Sequence, residues 1–297
     1  MDTFTALYAQ LLGLQEAAFM RIDHEDAMVA IVYKVIQETG APLILKICER
    51  ENDYLREVFF LNYFAGVLPV ARIVQVVQPA LDTHGAILME CFSGTLLTTA
   101  EVSDALAYKI GAALASIHLH RTTGYGDLIQ SNELSCDPRP YFTMKFEEGL
   151  DECKPHLPKE WIEKIRLYFY EQITLLDRVD GPCIVHRDFR PGNLMVCDGK
   201  LQGVIDWAGA RASFAEEDFC ALEHGEWAKN LDFKKAFLEG YASIRPVPDY
   251  KELTQLLRLS KAIATIGFTV KRGTWQDAHA RIYQFNRSFL ETALKLV

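Results

Sequence analysis

The most constraining stretch of the chain runs from Cys183 to Trp207, CIVHRDFRPGNLMVCDGKLQGVIDW. An apolar triplet, Cys183 to Val185, leads into His186-Arg187-Asp188, and Asn193 follows five residues after Asp188. Two short apolar runs, Leu194 to Cys197 and Leu201 to Ile205, flank Asp198-Gly199. Asp-Gly between such runs predicts a two-residue hairpin, because both turn positions require positive φ. With that turn, Cys197 faces Lys200 and Asn193 faces Val204, so Asp206 lies two residues beyond the partner of Asn193. At about 3.3 Å per residue the separation along the ladder is roughly 7 Å. A carboxamide and a carboxylate at the open end of a hairpin suit a hard, oxygen-liganded cation such as Mg²⁺. Asp188, on the loop just before, faces the same space. The bland alternative is an ordinary hairpin whose Asp and Asn residues cap turns.

These are the parts that phosphoryl transfer needs: a base for the acceptor hydroxyl, an Asn and an Asp for metal on the nucleotide phosphates, and a lysine elsewhere to neutralise phosphate charge. The H-R-D-x-x-x-x-N spacing is that of a kinase catalytic loop. The stretch resembles the aminoglycoside phosphotransferase and choline-kinase-like families, small-molecule kinases whose motif is close to H-G-D-x-x-x-x-N followed by I-D-W or I-D-F. Here the motif is His186 to Asn193, then Ile205-Asp206-Trp207. Arg187 stands where these families more often carry Gly, and the D-F-G and A-P-E segments of protein kinases are missing.

The resemblance implies an α+β, protein-kinase-like, two-lobed fold. Residues 1–91 form a small β-rich nucleotide-binding lobe. Residues 92–297 form a large helical lobe for catalysis and acceptor binding. It implies Asp188 as the catalytic residue, Asn193 and Asp206 as Mg²⁺ ligands, and ATP or GTP as co-substrate.

The composition fits this class. The chain has 297 residues, 49% hydrophobic and 24% charged, the balance of a soluble globular protein. A net charge of -9 argues against a nucleic-acid surface and suits a cationic acceptor. Seven scattered Cys, with no C-x-x-C pair, suggest reduced thiols in the cytoplasm. The first residues have neither a basic start nor a long apolar core, and no apolar run approaches the ~20 residues of a membrane span. Neither a signal peptide nor a membrane partner is expected.

Along the chain, residues 3–18 read as a helix, 20–22 as a strand, 23–27 as a polar loop, and 28–36 and 42–48 as two strands. The loop at 23–27 carries three acidic residues and no glycine, an unusual composition where backbone N–H groups would approach phosphate. Lys46 lies inside the apolar run Leu43 to Ile47, and burying its charge requires a partner. That partner is Glu57, on a helix over 52–65 whose apolar face is Leu55, Val58, Phe59 and Leu61 and whose end falls at Gly66. The pair is either the one that steadies the α and β phosphates or an edge-strand lysine reaching solvent.

Strands follow at 67–77 and 86–92. By resemblance, the second leads into the inter-lobe hinge, with adenine near Glu90 and Phe92 and Met89 at the back of the pocket. The other reading is a plain strand ending in a Gly turn. Thr98 to His120 reads as a helix opened by a Thr98-x-x-Glu101 capping box. Its His118 and His120 do not share a face and read as packing or capping residues. Residues 121–140 form a long loop. The acidic run from Phe146 to Glu152 is either a solvated helix face or a wall for a cationic acceptor, and a helix covers 161–179.

Arg190, two residues past Asp188, is either a γ-phosphate contact, hence nucleotide-binding, or a salt-bridge partner. His186 braces the loop, and Asp218 resembles the residue that braces it from behind. Helices fill the remainder, with Glu223, Glu226, Trp227 and Tyr241 as candidate acceptor contacts. The expected reaction moves the γ-phosphoryl group of ATP or GTP to a hydroxyl of a small acceptor of the aminoglycoside type. A choline, homoserine or sugar kinase, a weakly active nucleotide-binding pseudokinase and a protein kinase are the alternatives.

Overall fold

The computed structural model describes residues 3–23, 30–98, 102–225 and 227–295. In chain order the elements are α1 (Thr3–Leu12), β1 (Ala18–Arg21), β2 (Ala30–Ile36), β3 (Leu43–Cys48), α2 (Glu51–Phe64), β4 (Ile73–Val77), β5 (Gly85–Glu90), β6 (Thr95–Leu96) and α3 (Asp104–His118). Then come α4 (Arg139–Cys153), α5 (Lys159–Gln172), β7 (Cys183–Val185), β8 (Leu194–Cys197), β9 (Lys200–Val204), β10 (Arg211–Ser213), α6 (Glu216–Glu223), α7 (Leu231–Ala242), α8 (Thr254–Lys271) and α9 (Ala280–Ala293). Of the loop expected at 23–27, residues 24–27 lie outside the described residues. The chain divides into two compact units, one of Met1–Ile117, His186–Arg211 and Leu231–Arg245, the other of His118–Val185, Ala212–Asn230 and Pro246–Val297.

In the first unit an antiparallel five-stranded sheet has the order β1-β2-β3-β5-β4. Strand alternation sorts its central residues onto two faces. Leu45, Ile47, Ala86 and Leu88 point into a core with Tyr8, Leu12 and Leu14. Lys46 and its partner across the ladder, Ile87, point to the opposite face. Met89, paired with Ile44, lies on that same face two residues along β5, roughly 7 Å away.

Helix α2 buries Asp53, Tyr54, Glu57, Phe60, Leu61 and Phe64. This corrects the expected face, since Leu55, Val58 and Phe59 are only half-buried. The physical reason is that two anchors outside the helix fix its rotation. Glu57 is drawn to Lys46. Phe60 and Phe64 pack on Trp207, with ring centroids 6.0 and 4.8 Å away. The apolar residues of α2 occur on more than one side, so periodicity alone selects the wrong stripe.

Asp198 (φ 49°) and Gly199 (φ 69°) make the expected two-residue turn, and Cys197 faces Lys200. Beyond that the register departs from expectation. Val196 faces Leu201 but Met195 faces Gly203, so Gln202 is an extra residue in a bulge. Leu194, not Asn193, therefore faces Val204. The bulge moves Asn193 up by one position, and its carbonyl accepts the Ile205 N–H at 3.0 Å. Helix α3 also starts later than expected. Ser103 Oγ accepts the Leu106 N–H at 3.2 Å and caps it. Glu101 of the anticipated capping box lies outside the described residues.

The second unit is built on α4, α5, α8 and α9. Phe142, Phe146, Leu150, Ile165, Phe169, Ile263 and Ile266 share its core, and the Phe146 and Phe169 rings stack at 3.7 Å between centroids. Gly149 lets α4 approach α8 closely, because a Cβ there would meet Ile263 Cγ2 at 3.2 Å and the Ala264 backbone at 3.3 Å. His118 Nε2 and Asp218 Oδ2 form a fully buried bond of 3.0 Å, so His118 is a packing residue as expected. Trp227 is buried in this unit and Tyr241 in the first, as core residues; Glu226 lies outside the described residues. Among the described residues no helix is long and apolar enough to cross a membrane.

Candidate active site

Lys46, Glu57, Met89, Glu90, Phe92, Asp188, Arg190, Asn193 and Asp206 all belong to the first unit, whereas Asp218 and the acidic run of α4 belong to the second. Lys46 comes from the inner strand β3, where its stem has apolar neighbours on both sides. Its ammonium lies 3.0 Å from Glu57 Oε2 and 2.7 Å from Asp206 Oδ1. Glu57 is buried, with 2% of its side chain exposed, whereas Asp206 keeps 47% open. Burial works to lower the Lys46 pKa, but Asp206 and Glu57 outweigh it and hold the ammonium above the usual lysine range. Burial pushes the Glu57 carboxyl up, while Lys46 pulls it back down. Lys46 holds Asp206 below the usual carboxylate range. Cys48, two residues on, is pushed up to about 12 by burial and is an inert thiol.

Asp206 is fixed by its neighbours on either side. Trp207 is fully buried and its Nε1 donates to Val204 O at 3.0 Å. Asp206 itself is left-handed, with φ 64° and ψ 67°. That turn swings the carboxylate off the end of β9 toward Lys46. An L-residue there carries strain on the order of 1 kcal/mol, which the Trp207 anchor offsets.

The loop after β7 holds Asp188 from several directions. His186, fully buried, accepts the Asp188 N–H at Nδ1 (3.3 Å), and its Nε2 donates to Ile205 O (3.1 Å). Those two bonds set the tautomer and tie the loop to the hairpin end beside Asp206. Asn193 Nδ2 donates to the Asp188 carbonyl and to its Oδ2, both at 2.8 Å. Arg190 Nε donates to the same Oδ2 at 3.1 Å. Arg187 has φ 68°, a conformation glycine adopts without strain.

Phe92 packs its ring over Gly203, where an added Cβ would come within 2.3 Å of Phe92 Cε2. Glu90 turns its carboxylate to Arg72, 2.9 Å from Nε and 2.8 Å from the guanidinium terminus. The side chains of Phe92 and Glu90 are thus occupied locally, and what this segment offers a planar ligand is its backbone.

Lys46 and Arg190 set against Glu57, Asp188 and Asp206 leave one negative charge in excess. Both donors of the Asn193 amide nitrogen go to Asp188, which turns the amide oxygen the other way. A carboxylate and an amide oxygen fit a small hard cation that keeps phosphate and water as its other ligands. They do not make a self-sufficient metal cage, and no group of three or more His, Cys, Asp or Glu residues gathers to hold a metal among the described residues.

In the acidic run of α4 every carboxylate has a cation. Arg166 grips both oxygens of Glu147 at 2.8 to 3.1 Å, Lys145 holds Glu148 at 2.7 Å, Lys154 holds Asp151 at 2.6 Å, and Lys271 holds Glu152 at 2.7 Å. Sequence reasoning missed the direct bond between Lys46 and Asp206 and the aromatic clamp on Trp207. A Trp directly after the Asp was the only signal for the clamp.

The sequence profile of the Phosphotransferase enzyme family matches residues 30–254. No curated protein sequence matches significantly. Among solved structures the chain resembles a thermostable mutant of aminoglycoside phosphotransferase APH(4)-Ia, in ternary complex with AMP-PNP and hygromycin B. The identity is 12%, 98% of each chain is covered and the TM-score is 0.72. A gentamicin complex of APH(2'')-IIa is 18% identical over 98% of this chain and 96% of that one, at a TM-score of 0.69. ADP-bound APH(2'')-Ib is 17% identical over 99% of each, at 0.67. At these identities the likeness fixes the fold, which is the α+β, protein-kinase-like fold with a small antiparallel sheet and a helical remainder.

Proposed function

Since the chain belongs to the phosphotransferase enzyme family and is therefore a phosphotransferase acting on hydroxyl groups, we propose that it moves the γ-phosphoryl group of ATP or GTP to a small-molecule hydroxyl, with Asp188 as the base. The observation that carries this reading is the single network in which Asn193 and Arg190 hold Asp188, while the adjoining hairpin carries Asp206 bonded to Lys46. As the acceptor oxygen bonds to phosphorus, its proton passes to Asp188, and the bond to the β-phosphate oxygen breaks to release a nucleoside diphosphate.

Lys46, steadied by Glu57, faces the α and β phosphates. Asn193 and Asp206 would hold Mg²⁺, which when bound neutralises charge on the phosphates. Residues 1–91 serve as the nucleotide-binding lobe, with adenine against the backbone at Glu90 and Phe92 and beside Met89, and residues 92–297 as the catalytic and acceptor lobe. Little covalent help is needed, so positioning and charge neutralisation supply most of the rate. All seven cysteines are free, which supports a cytoplasmic enzyme.

For the acceptor we propose a cationic compound of the aminoglycoside type, making the chain a candidate for antibiotic resistance. The net charge of -9 supports it, as does the likeness to structures holding hygromycin B and gentamicin. One observation favours a second reading, a metabolite kinase for an amino alcohol or sugar: the α4 carboxylates are each matched to a protein cation, leaving no ready wall for a polycation.

The test is mass spectrometry of aminoglycosides, choline, homoserine and sugars incubated with ATP or GTP and Mg²⁺, beside an Asp188→Asn sample. A phosphorylated product absent from the variant supports the kinase and identifies the acceptor class. Failure to bind Mg-nucleotide, together with no product, would overturn the proposal. Binding without product from any acceptor favours a pseudokinase.

A further inference from the structure

The catalytic loop contains a second basic residue whose placement points to the base rather than to phosphate. Arg190 Nε donates to Asp188 Oδ2 at 3.1 Å, and Asn193 Nδ2 donates to that same oxygen at 2.8 Å. One carboxylate oxygen therefore takes two N–H donors, from residues three apart on one turn. The backbone of Arg190 joins in, since its carbonyl accepts the Asn193 N–H at 2.9 Å. Arg190 thus fixes Asp188 with its side chain and Asn193 with its main chain.

The sequence explains why Arg190 can do both. Pro191 follows it, is buried, and opens the short turn Pro191–Asn193. A residue before proline is pushed to extended backbone, and Arg190 has φ -145° and ψ 168°. That conformation directs its carbonyl into the turn and its side chain back along the loop to Asp188. The Arg190 side chain is 23% exposed and that of Asp188 31%, so the bond is partly shielded from water. A charge-assisted N–H···O bond there is stronger than a neutral one, and, added to the Asn193 bond on the same oxygen, it restrains the broad, two-fold torsion of the carboxylate.

Resting on the kinase reading above, we propose that Arg190 is a positioning residue for Asp188, locking one carboxylate oxygen so that the acceptor hydroxyl meets a base of fixed direction. The alternative from sequence, a direct γ-phosphate contact, predicts different kinetics. A phosphate ligand changes nucleotide affinity. A positioning residue changes kcat through Asp188 and leaves nucleotide affinity alone.

The experiment compares wild type, Arg190→Ala, Arg190→Lys, Asp188→Asn and the double variant Arg190→Ala with Asp188→Asn. For Arg190→Ala we expect kcat to fall ~10- to 100-fold, the scale of a misplaced catalytic group, with the Kd for Mg-ADP within about twofold of wild type. Arg190→Lys, or guanidinium added to Arg190→Ala, restores part of kcat. In the Asp188→Asn background the Ala substitution has no further effect, because its target is already gone. A tenfold rise in the Kd for Mg-ADP, or losses that multiply in the double variant, would overturn the proposal in favour of a phosphate contact. An unchanged kcat would reduce the bond to a surface bridge. If the wild type phosphorylates nothing, the kinase reading fails first. The crystal structure of Arg190→Ala then decides the positioning role alone. The role stands if the Asp188 carboxylate leaves its bond to Asn193 Nδ2 and is lost if the carboxylate stays in place.

Discussion

Two groups of carboxylates in this protein have opposite electrostatic designs. Around β3 and the β8–β9 hairpin, Lys46 is shared by Glu57 and Asp206, while Arg190 and Asn193 share one oxygen of Asp188. Along α4, by contrast, Glu147, Glu148, Asp151 and Glu152 close on Arg166, Lys145, Lys154 and Lys271 at half-open or exposed positions, with Arg166 also 3.9 Å from Asp151. The first group sets three carboxylates around Lys46 and Arg190 and buries Glu57 and Lys46 most deeply, an arrangement that a bound divalent cation would stabilise. The second is neutralised by Lys and Arg side chains near the surface, where such bridges contribute little. What distinguishes the candidate site from the α4 face is the burial of its Lys46–Glu57 pair, not the number of acids.

Removing the proposed base tests the comparison hardest. Asp188→Asn keeps the size and one accepting oxygen but abolishes the negative charge and the proton acceptor, so kcat should fall ~10³-fold with the melting temperature nearly unchanged. Single-turnover phosphate transfer measures the first and calorimetry the second. Survival of more than a tenth of the activity would mean that this group resembles the α4 acids after all. Lys46→Met comes next. It leaves Glu57 buried without its cation, so stability should drop by about 3 kcal/mol, read from urea unfolding. Turnover should fall ~10²-fold from the lost phosphate charge.

How much of this was legible depends on whether the cause was local. The hairpin turn was, because Asp198-Gly199 encodes its own backbone, and so was the Lys46–Glu57 pair, because a lysine in an apolar strand demands a partner. The one-residue bulge at Gln202 was not, since nothing in a five-residue strand announces which position is doubled. Nor was the rotation of α2, which Trp207 sets from more than a hundred residues away.

Arg187 is an intermediate case. It stands where related motifs more often carry Gly, and its φ of 68° supplies the reason. Arg187→Gly should relieve left-handed strain, offset by the freer unfolded chain and by loss of the guanidinium's own interactions, for a net change within roughly 0.5 kcal/mol of zero. Chemical denaturation would read it, and a clear loss instead would mean that the guanidinium, not the backbone, governs this position.

The smallest effects belong to α4, and they also decide between acceptor classes. Glu147 is held by the Nε–Nη2 edge of the Arg166 guanidinium and by the Tyr170 hydroxyl at 3.1 Å. Glu147→Gln should therefore cost about 1 kcal/mol. Glu148 pairs with the Lys145 ammonium one helical turn away at 2.7 Å, with both side chains over 40% exposed. Glu148→Gln should cost about 0.3 kcal/mol. If each acid is already satisfied by its protein cation, neither change moves the KM of a cationic acceptor. A severalfold rise in that KM from Glu148→Gln, at constant kcat, would show that a polycation competes with Lys145 for the carboxylate. The α4 face would then be part of the acceptor site, and the contrast between the two groups of acids would be one of degree.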